Sequence, residues 1–294
     1  MKKSSKIFFI FIGVYLLAGS LPPQIVSAKE TVKAFVSILP QKYFVEKIGQ
    51  SLVDVSVMVP PGASPATYEP KPKQMVGLSR ARLYFTIGVP FERTWLKKLE
   101  TANPKMRLVH TDLGIKKRAM KAHHDHGERG NQVILDPHIW TSPPLVMMQA
   151  RNILKGLLQV DPSNGTVYEA NYRKFIAEIL DLDADLRNVF AGRQGLQFMV
   201  FHPSWGYFAS AYGLRQVPIE MEGKEPKPAL LKELIAHARK HDIKVVFVQP
   251  QFSSRSARLI AREIGGQVLT ADPLAENWME NLRHLAEKFR TALR

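Results

Sequence analysis

Cysteine is absent from all 294 residues. That absence removes disulfide staples, thiolate metal ligands and thiol nucleophiles together, and with them lipid attachment through an N-terminal cysteine. Beyond the first 28 residues the chain also lacks any uninterrupted apolar run of the roughly 18 residues that a membrane span requires. The remainder therefore reads as a soluble protein. A Gly-x-Ser-x-Gly nucleophile elbow is missing too, and Ser204 has no strained glycine frame around it. No zinc-finger or RNP pattern occurs, and no basic run is interleaved with exposed aromatics, which argues against nucleic acid as a partner.

What is present begins with an export signal. Lys2, Lys3 and Lys6 form a positive start, Ile7 to Ala18 an apolar stretch, and Val26-Ser27-Ala28 a small-residue cleavage pattern. The competing reading, an N-terminal anchor, is weakened because the short stretch Ile7 to Leu21 contains Gly13, Gly19 and Ser20. An exported chain without a lipid fits a periplasm. The formal charge of +15 becomes +12 once the three lysines of the signal are subtracted. Lipid headgroups or a membrane partner remain open as counterparts of that charge. The length after residue 28 suffices for one large domain or for two lobes with separate cores.

Short β-like runs alternate with helical stretches. The runs are Ala34 to Leu39, Val53 to Val59, Leu83 to Gly88, Gln197 to His202, Ile243 to Gln249 and Gln267 to Ala271. Between them the pattern predicts helices over about Gln41 to Gly49, Pro143 to Leu158, Ala229 to His241, Ser254 to Gly265 and Glu276 to Leu293. Ser142 before Pro143 looks like an N-cap, and Gly265-Gly266 like a C-terminal stop. Strand, helix, strand order implies parallel sheets covered on both faces. In the centre, apolar residues recur at Tyr168, Tyr172, Phe175, Ile179, Leu182, Leu186 and Val189, the spacing of one long amphipathic helix. The expected architecture is α/β, two lobes that are each a mainly parallel sheet flanked by helices, joined by that rigid helix. Its boundaries are a signal over 1–28, a first lobe over 29–165, the connecting helix over 166–191 and a second lobe over 192–294. A cleft between the lobes would collect strand ends and loops.

Three polar residues end buried elements. His138 sits in "DPHIW", His202 in "FHPSW" at the end of an apolar run, and Asp272 in "TADPL". Imidazole and carboxylate together suit Zn²⁺ or a neighbouring divalent metal. Each residue also has an ordinary explanation, a hydrogen-bonded strand-end histidine or an Asp-Pro turn. Histidine and aspartate as base and orienter also leave a hydrolase reading open, against which the missing nucleophile elbow weighs.

The ordered set "PPGASPATYEPKPKQM", "DPHIWTSP", "FHPSWGYFASAYGL" and "TADPL", with a long helix between the second and third, resembles the zinc and manganese solute-binding proteins of ABC importers. The resemblance covers essentially everything after the signal. It implies a metal bound between two α/β lobes, with His138, His202 and Asp272 as ligands, and delivery to an inner-membrane ABC permease by a monomeric protein that is not an enzyme. Zn²⁺ is the expected cargo, because the histidine of the third motif, where some members have glutamate, is similar to the zinc-preferring branch. Mn²⁺ or another divalent transition metal stays open. One departure stands out. The family's first motif usually carries a ligand histidine where this chain has Ala66. His123, His124 and His126 in "AHHDHG" could replace it, or Glu69 or Tyr68 could turn inward. A metal-dependent hydrolase using a water at the open position is the alternative to transport.

Overall fold

The computed structural model describes residues 31–120, 135–221 and 223–292. The predicted signal and the histidines at 123, 124 and 126 lie outside the described residues. Two parallel sheets organise the chain. The first is built from β1 (Val32–Val36), β2 (Val53–Val57), β3 (Leu83–Thr86) and β4 (Arg107–His110), in the order β2-β1-β3-β4. The second uses β5 (Gln197–Val200), β6 (Arg215–Pro218), β7 (Val245–Val248) and β8 (Gln267–Thr270), in the order β6-β5-β7-β8. The second sheet thus repeats the strand order of the first. In such sheets the loops leaving two neighbouring central strands diverge, here β1 from β3 and β5 from β7, and a crevice opens at their carboxyl ends.

The helices are α1 (Leu39–Gly49), α2 (Pro72–Leu78), α3 (Pro90–Ala102), α4 (Pro143–Val160), α5 (Gly165–Val189), α6 (Gly206–Ala211), α7 (Pro228–Lys240), α8 (Arg255–Ile264) and α9 (Trp278–Ala292). Proline opens α2, α3, α4 and α7, where its missing N–H costs nothing and its fixed φ suits the first turn. Ser142 occupies the N-cap position of α4, but its side chain makes no capping bond. Gly265 ends α8 in the left-handed region at φ +61°, and the Gly266 N–H closes on the Ala261 carbonyl at 2.8 Å. The long central helix is α5, whose 25 residues run about 37 Å at 1.5 Å per residue. Tyr168, Phe175, Ile179, Leu182 and Leu186 form its buried stripe.

Burial follows the strand period. In β2, Val53 and Val55 point inward while Asp54 and Ser56 face water, as befits an edge strand. The central strands β3 and β7 are buried at every position. The strands absent from the predicted set are β4, an edge with exposed Arg107 and His110, and β6, an edge opening on exposed Arg215. The larger core cluster is continuous through both halves, from Val32 to Phe289. Separate cores are therefore not what the packing shows. At the joint, Phe44 of α1 meets Trp278 of α9 edge-on at 5.1 Å and Phe175 of α5 at 6.0 Å. A smaller cluster, including Met199, Phe201, Ile219, Val246 and Ile260, covers the other face of the second sheet. Buried indoles add directional ties: Trp140 Nε1 donates to the Pro273 carbonyl and Trp278 Nε1 to the Trp140 carbonyl, both at 2.6 Å. Among the described residues no helix is long and apolar enough to cross a membrane.

Candidate metal centre

His202 stands two residues past the end of β5, at the divergence of β5 and β7. Gln249, directly after β7, holds the backbone there. Its Oε1 accepts the His202 N–H at 3.1 Å, and its Nε2 donates to the His202 carbonyl at 2.6 Å and to Ser204 Oγ at 3.0 Å. The imidazole lies flat against Phe252, with centroids 5.0 Å apart. Its Nδ1 is 2.7 Å from Glu220 Oε1. Glu220 follows β6 and is buried, and its other oxygen has no hydrogen-bond partner among the described residues.

His138 reaches the same place from the other side. Asp136 Oδ1 accepts both the His138 N–H, at 3.0 Å, and the ring Nδ1, at 2.7 Å. Asp136 is itself fixed by its N–H to the Arg118 carbonyl at 2.8 Å and by Tyr207 Oη donating to its carbonyl at 3.1 Å. Burial pushes the His138 imidazolium below the usual histidine range, against the opposing pull of the Asp136 carboxylate. The two imidazoles meet edge-on, with centroids 5.2 Å apart and 70° between their planes. Since a carboxylate only accepts, each Nδ1 must donate, and the lone pair of each ring is left on Nε2. A carboxylate holding the far ring nitrogen raises the donor strength of a metal-binding histidine.

Asp272 follows β8 and is half-buried. Gln251 Nε2, at 3.1 Å, and the Leu274 N–H, at 2.9 Å, both fall on its Oδ1. It lines a cavity of about 180 Å³ whose other wall belongs to the first half: Ile38, Val59, Pro60 and Gly62. The structure thus pairs His138 with His202 and places Asp272 in the crevice between the halves. Among the described residues, however, no three His, Asp or Glu side chains are gathered closely enough to hold an ion.

The loop carrying Ala66 is anchored by the Phe91 N–H to the Pro65 carbonyl at 3.1 Å. Ala66 and Glu69 are exposed. Tyr68 packs edge-on to Phe91 at 6.1 Å and its hydroxyl is 2.5 Å from Gln74 Oε1. Gln74 in turn donates to the Met58 carbonyl at 2.6 Å, so Tyr68 serves the loop's own architecture. The residues that sequence reasoning missed are Glu220, Gln249 and Gln251. Gln249 and Gln251 trail the apolar strand β7, whereas Glu220 follows the edge strand β6 in "VPIE".

Comparison with known proteins covers nearly all of the described chain. The family described as "Zinc-uptake complex component A periplasmic", ZnuA, matches residues 35–292. The high-affinity zinc uptake system protein ZnuA of Bacillus subtilis is 30% identical over 278 residues, 90% of this chain and 87% of that protein. A crystal structure of ZnuA aligns with TM-score 0.84 and 46% identity, covering 90% of this chain and 99% of the other. A zinc-bound deletion variant of ZnuA aligns with TM-score 0.82 and 45% identity over 90% and 98%. With two parallel sheets joined by a long helix and a pair of carboxylate-backed histidines at their junction, this chain belongs to the ZnuA family.

Proposed function

We propose that the protein captures Zn²⁺ between its two halves and presents it to an ABC permease of the inner membrane. The observation that carries this is the pair of imidazoles 5.2 Å apart, each with Nδ1 held on a carboxylate and Nε2 left to donate. Burial that keeps His138 neutral also keeps it ready to bind a cation at neutral pH. We assign His138 and His202 as donors through Nε2 and Asp272, on the same half as His202, as the third donor. Nitrogen and carboxylate donors favour Zn²⁺ over Mg²⁺ or Ca²⁺, and Mn²⁺ is the weaker competitor in the divalent series. A solved relative has zinc bound, and the Bacillus subtilis relative is named for zinc uptake. The family is one of metal transport, which does not favour the hydrolase reading.

The test is metal analysis of untagged protein followed by chelator competition. About one equivalent of Zn²⁺ per chain is expected, with affinity lost by orders of magnitude in His138→Ala and His202→Ala. Protein that retains no transition metal, or two such variants that bind as the parent does, would overturn the proposal.

A further inference from the structure

The histidines among the described residues are His110, His138, His202, His237, His241 and His284. Four of them form two ring pairs. One is His138 with His202 in the crevice. The other is His237 with His241, whose centroids are closer still, 4.3 Å apart with 40° between the planes. The remaining two have other partners: His110 bonds to Thr86 Oγ1 at 3.0 Å, and His284 meets Glu280 at 2.9 Å. His237 lies in the last turn of α7 and His241 is its C-cap, four residues on, the spacing that brings side chains together on one side of a helix. Both ring nitrogens close on a single side chain from the second sheet. His237 Nε2 is 2.9 Å from Gln197 Oε1, and His241 Nδ1 is 3.2 Å from Gln197 Nε2. An amide nitrogen only donates and its oxygen only accepts, so His241 Nδ1 already presents a lone pair while His237 Nε2 carries a proton. Gln197 opens β5 and His202 stands past its other end, so the two histidine pairs are about 16 Å apart along the strand direction.

We propose that His237 and His241 form a second metal site, for a divalent transition ion that prefers nitrogen, with Cu²⁺ held more tightly than Zn²⁺. The ion sits between the two rings and Gln197 Oε1. His237 moves its ring proton from Nε2 to Nδ1, which a neutral imidazole can do without changing charge, and both rings then donate. The negative end of the α7 dipole lies at this turn and favours a cation there. Among the described residues no carboxylate joins the pair to make a cluster of three, so Mg²⁺ and Ca²⁺, which need several oxygens, find little to hold. The order of the metals follows from nitrogen donors, for which Cu²⁺ exceeds Zn²⁺. The proposal is independent of the cargo reading, because the site shares no residue with the crevice.

The test uses a full-length exported chain carrying His138→Ala and His202→Ala and lacking residues 123–126. Its histidines are then His110, His237, His241 and His284. Cu²⁺ is titrated into it by calorimetry, and electron paramagnetic resonance counts the coordinated nitrogens. One equivalent bound through two imidazole nitrogens is expected, with Zn²⁺ binding more weakly at the same place and Ca²⁺ not binding. Adding His237→Ala or His241→Ala should weaken Cu²⁺ binding by at least about 100-fold, because one donor of a pre-aligned pair is lost. A control that adds His110→Ala and His284→Ala together removes more imidazole and should change affinity by less than about threefold, since neither residue shares a partner with the pair. Circular dichroism checks that every variant folds, and the exposed His241 is the safer of the two positions to change. Equal losses in the control and in the pair variants would mean unspecific binding to imidazole and would overturn the proposal. So would a chain that takes up no Cu²⁺, a signal from a single nitrogen, or an affinity that His241→Ala leaves unchanged.

Discussion

Glu92 is a carboxylate with 4% of its surface exposed, at the divergence of β1 and β3. Its Oε1 accepts from Ser37 Oγ at 2.5 Å and the Ile87 N–H at 3.0 Å, and its Oε2 accepts from the Gly88 N–H at 2.7 Å. Burial pushes the carboxyl up from 4.5 to about 7, against these three donors, with Asp112 adding a small upward push. Between about pH 4.5 and 7 the folded chain holds a proton that the unfolded chain has released. Stability from this group is therefore greatest at the acid end and falls as pH rises through that window. A gap of about 2.5 pH units corresponds to about 3 kcal/mol. Gln in place of Glu92 mimics the neutral acid, since Nε2 can donate to Ser37 Oγ while Oε1 accepts from Ile87 and Gly88. The assay is urea unfolding in chelator, followed by tryptophan fluorescence from about pH 5 to 8. The difference between parent and Glu92→Gln cancels every other titrating group. It should shift by about 3 kcal/mol across the window, with the variant relatively more stable at high pH. Parallel curves for the two proteins would refute the reasoning.

At the metal centre, Glu220→Gln should weaken zinc binding by about 10- to 100-fold in chelator competition, because His202 loses its carboxylate partner. The variant should still fold, since its remaining oxygen can accept from His202 Nδ1, and circular dichroism of the metal-free protein checks this. If the loop of Ala66 faces the crevice when metal is bound, Ala66→His tightens zinc binding, and deleting residues 123–126 weakens the parent more than that variant. Additive effects across this cycle of titrations would show that the two changes act independently. Gly156→Ala puts a methyl 2.7 Å from Val109 Cγ2 and 3.2 Å from Phe85, pressing α4 off the sheet. A loss of about 1–3 kcal/mol is expected from overpacking, visible as a lower melting temperature.

The parallel sheets and the long helix were legible in the sequence because each rests on a local pattern, whereas the nearness of His138 and His202 was implied only by the resemblance of their motifs to the family. Apolar strands that end in a polar residue mark the crevice, and the four-and-three spacing from Tyr168 to Leu186 marks α5. The edge strands β4 and β6 were not legible, since four residues opening on an arginine carry too little alternation to stand out. Glu220 was hidden for the same reason, as it hangs on β6. The short helices α2 and α6 escaped because neighbouring packing, more than periodicity, decides so short a segment, and the 13-residue α3 was also missed. Asp272 was read as a ligand from its motif. Its bonds to Gln251 and Leu274 depend on side-chain geometry that no spacing rule encodes.

The joint made by Phe44, Phe175 and Trp278 also bears on how the chain acquires its structure. These residues come from α1, α5 and α9, so the first half completes its hydrophobic interior only when the last helix arrives. A chain threaded through an export channel from its beginning would emerge with α1 long before Trp278. Its early segments would then wait with apolar surface in water, vulnerable to aggregation and to proteases. Consolidation in a single late step follows, and heating should reverse it as one calorimetric transition, with both halves of the molecule melting together.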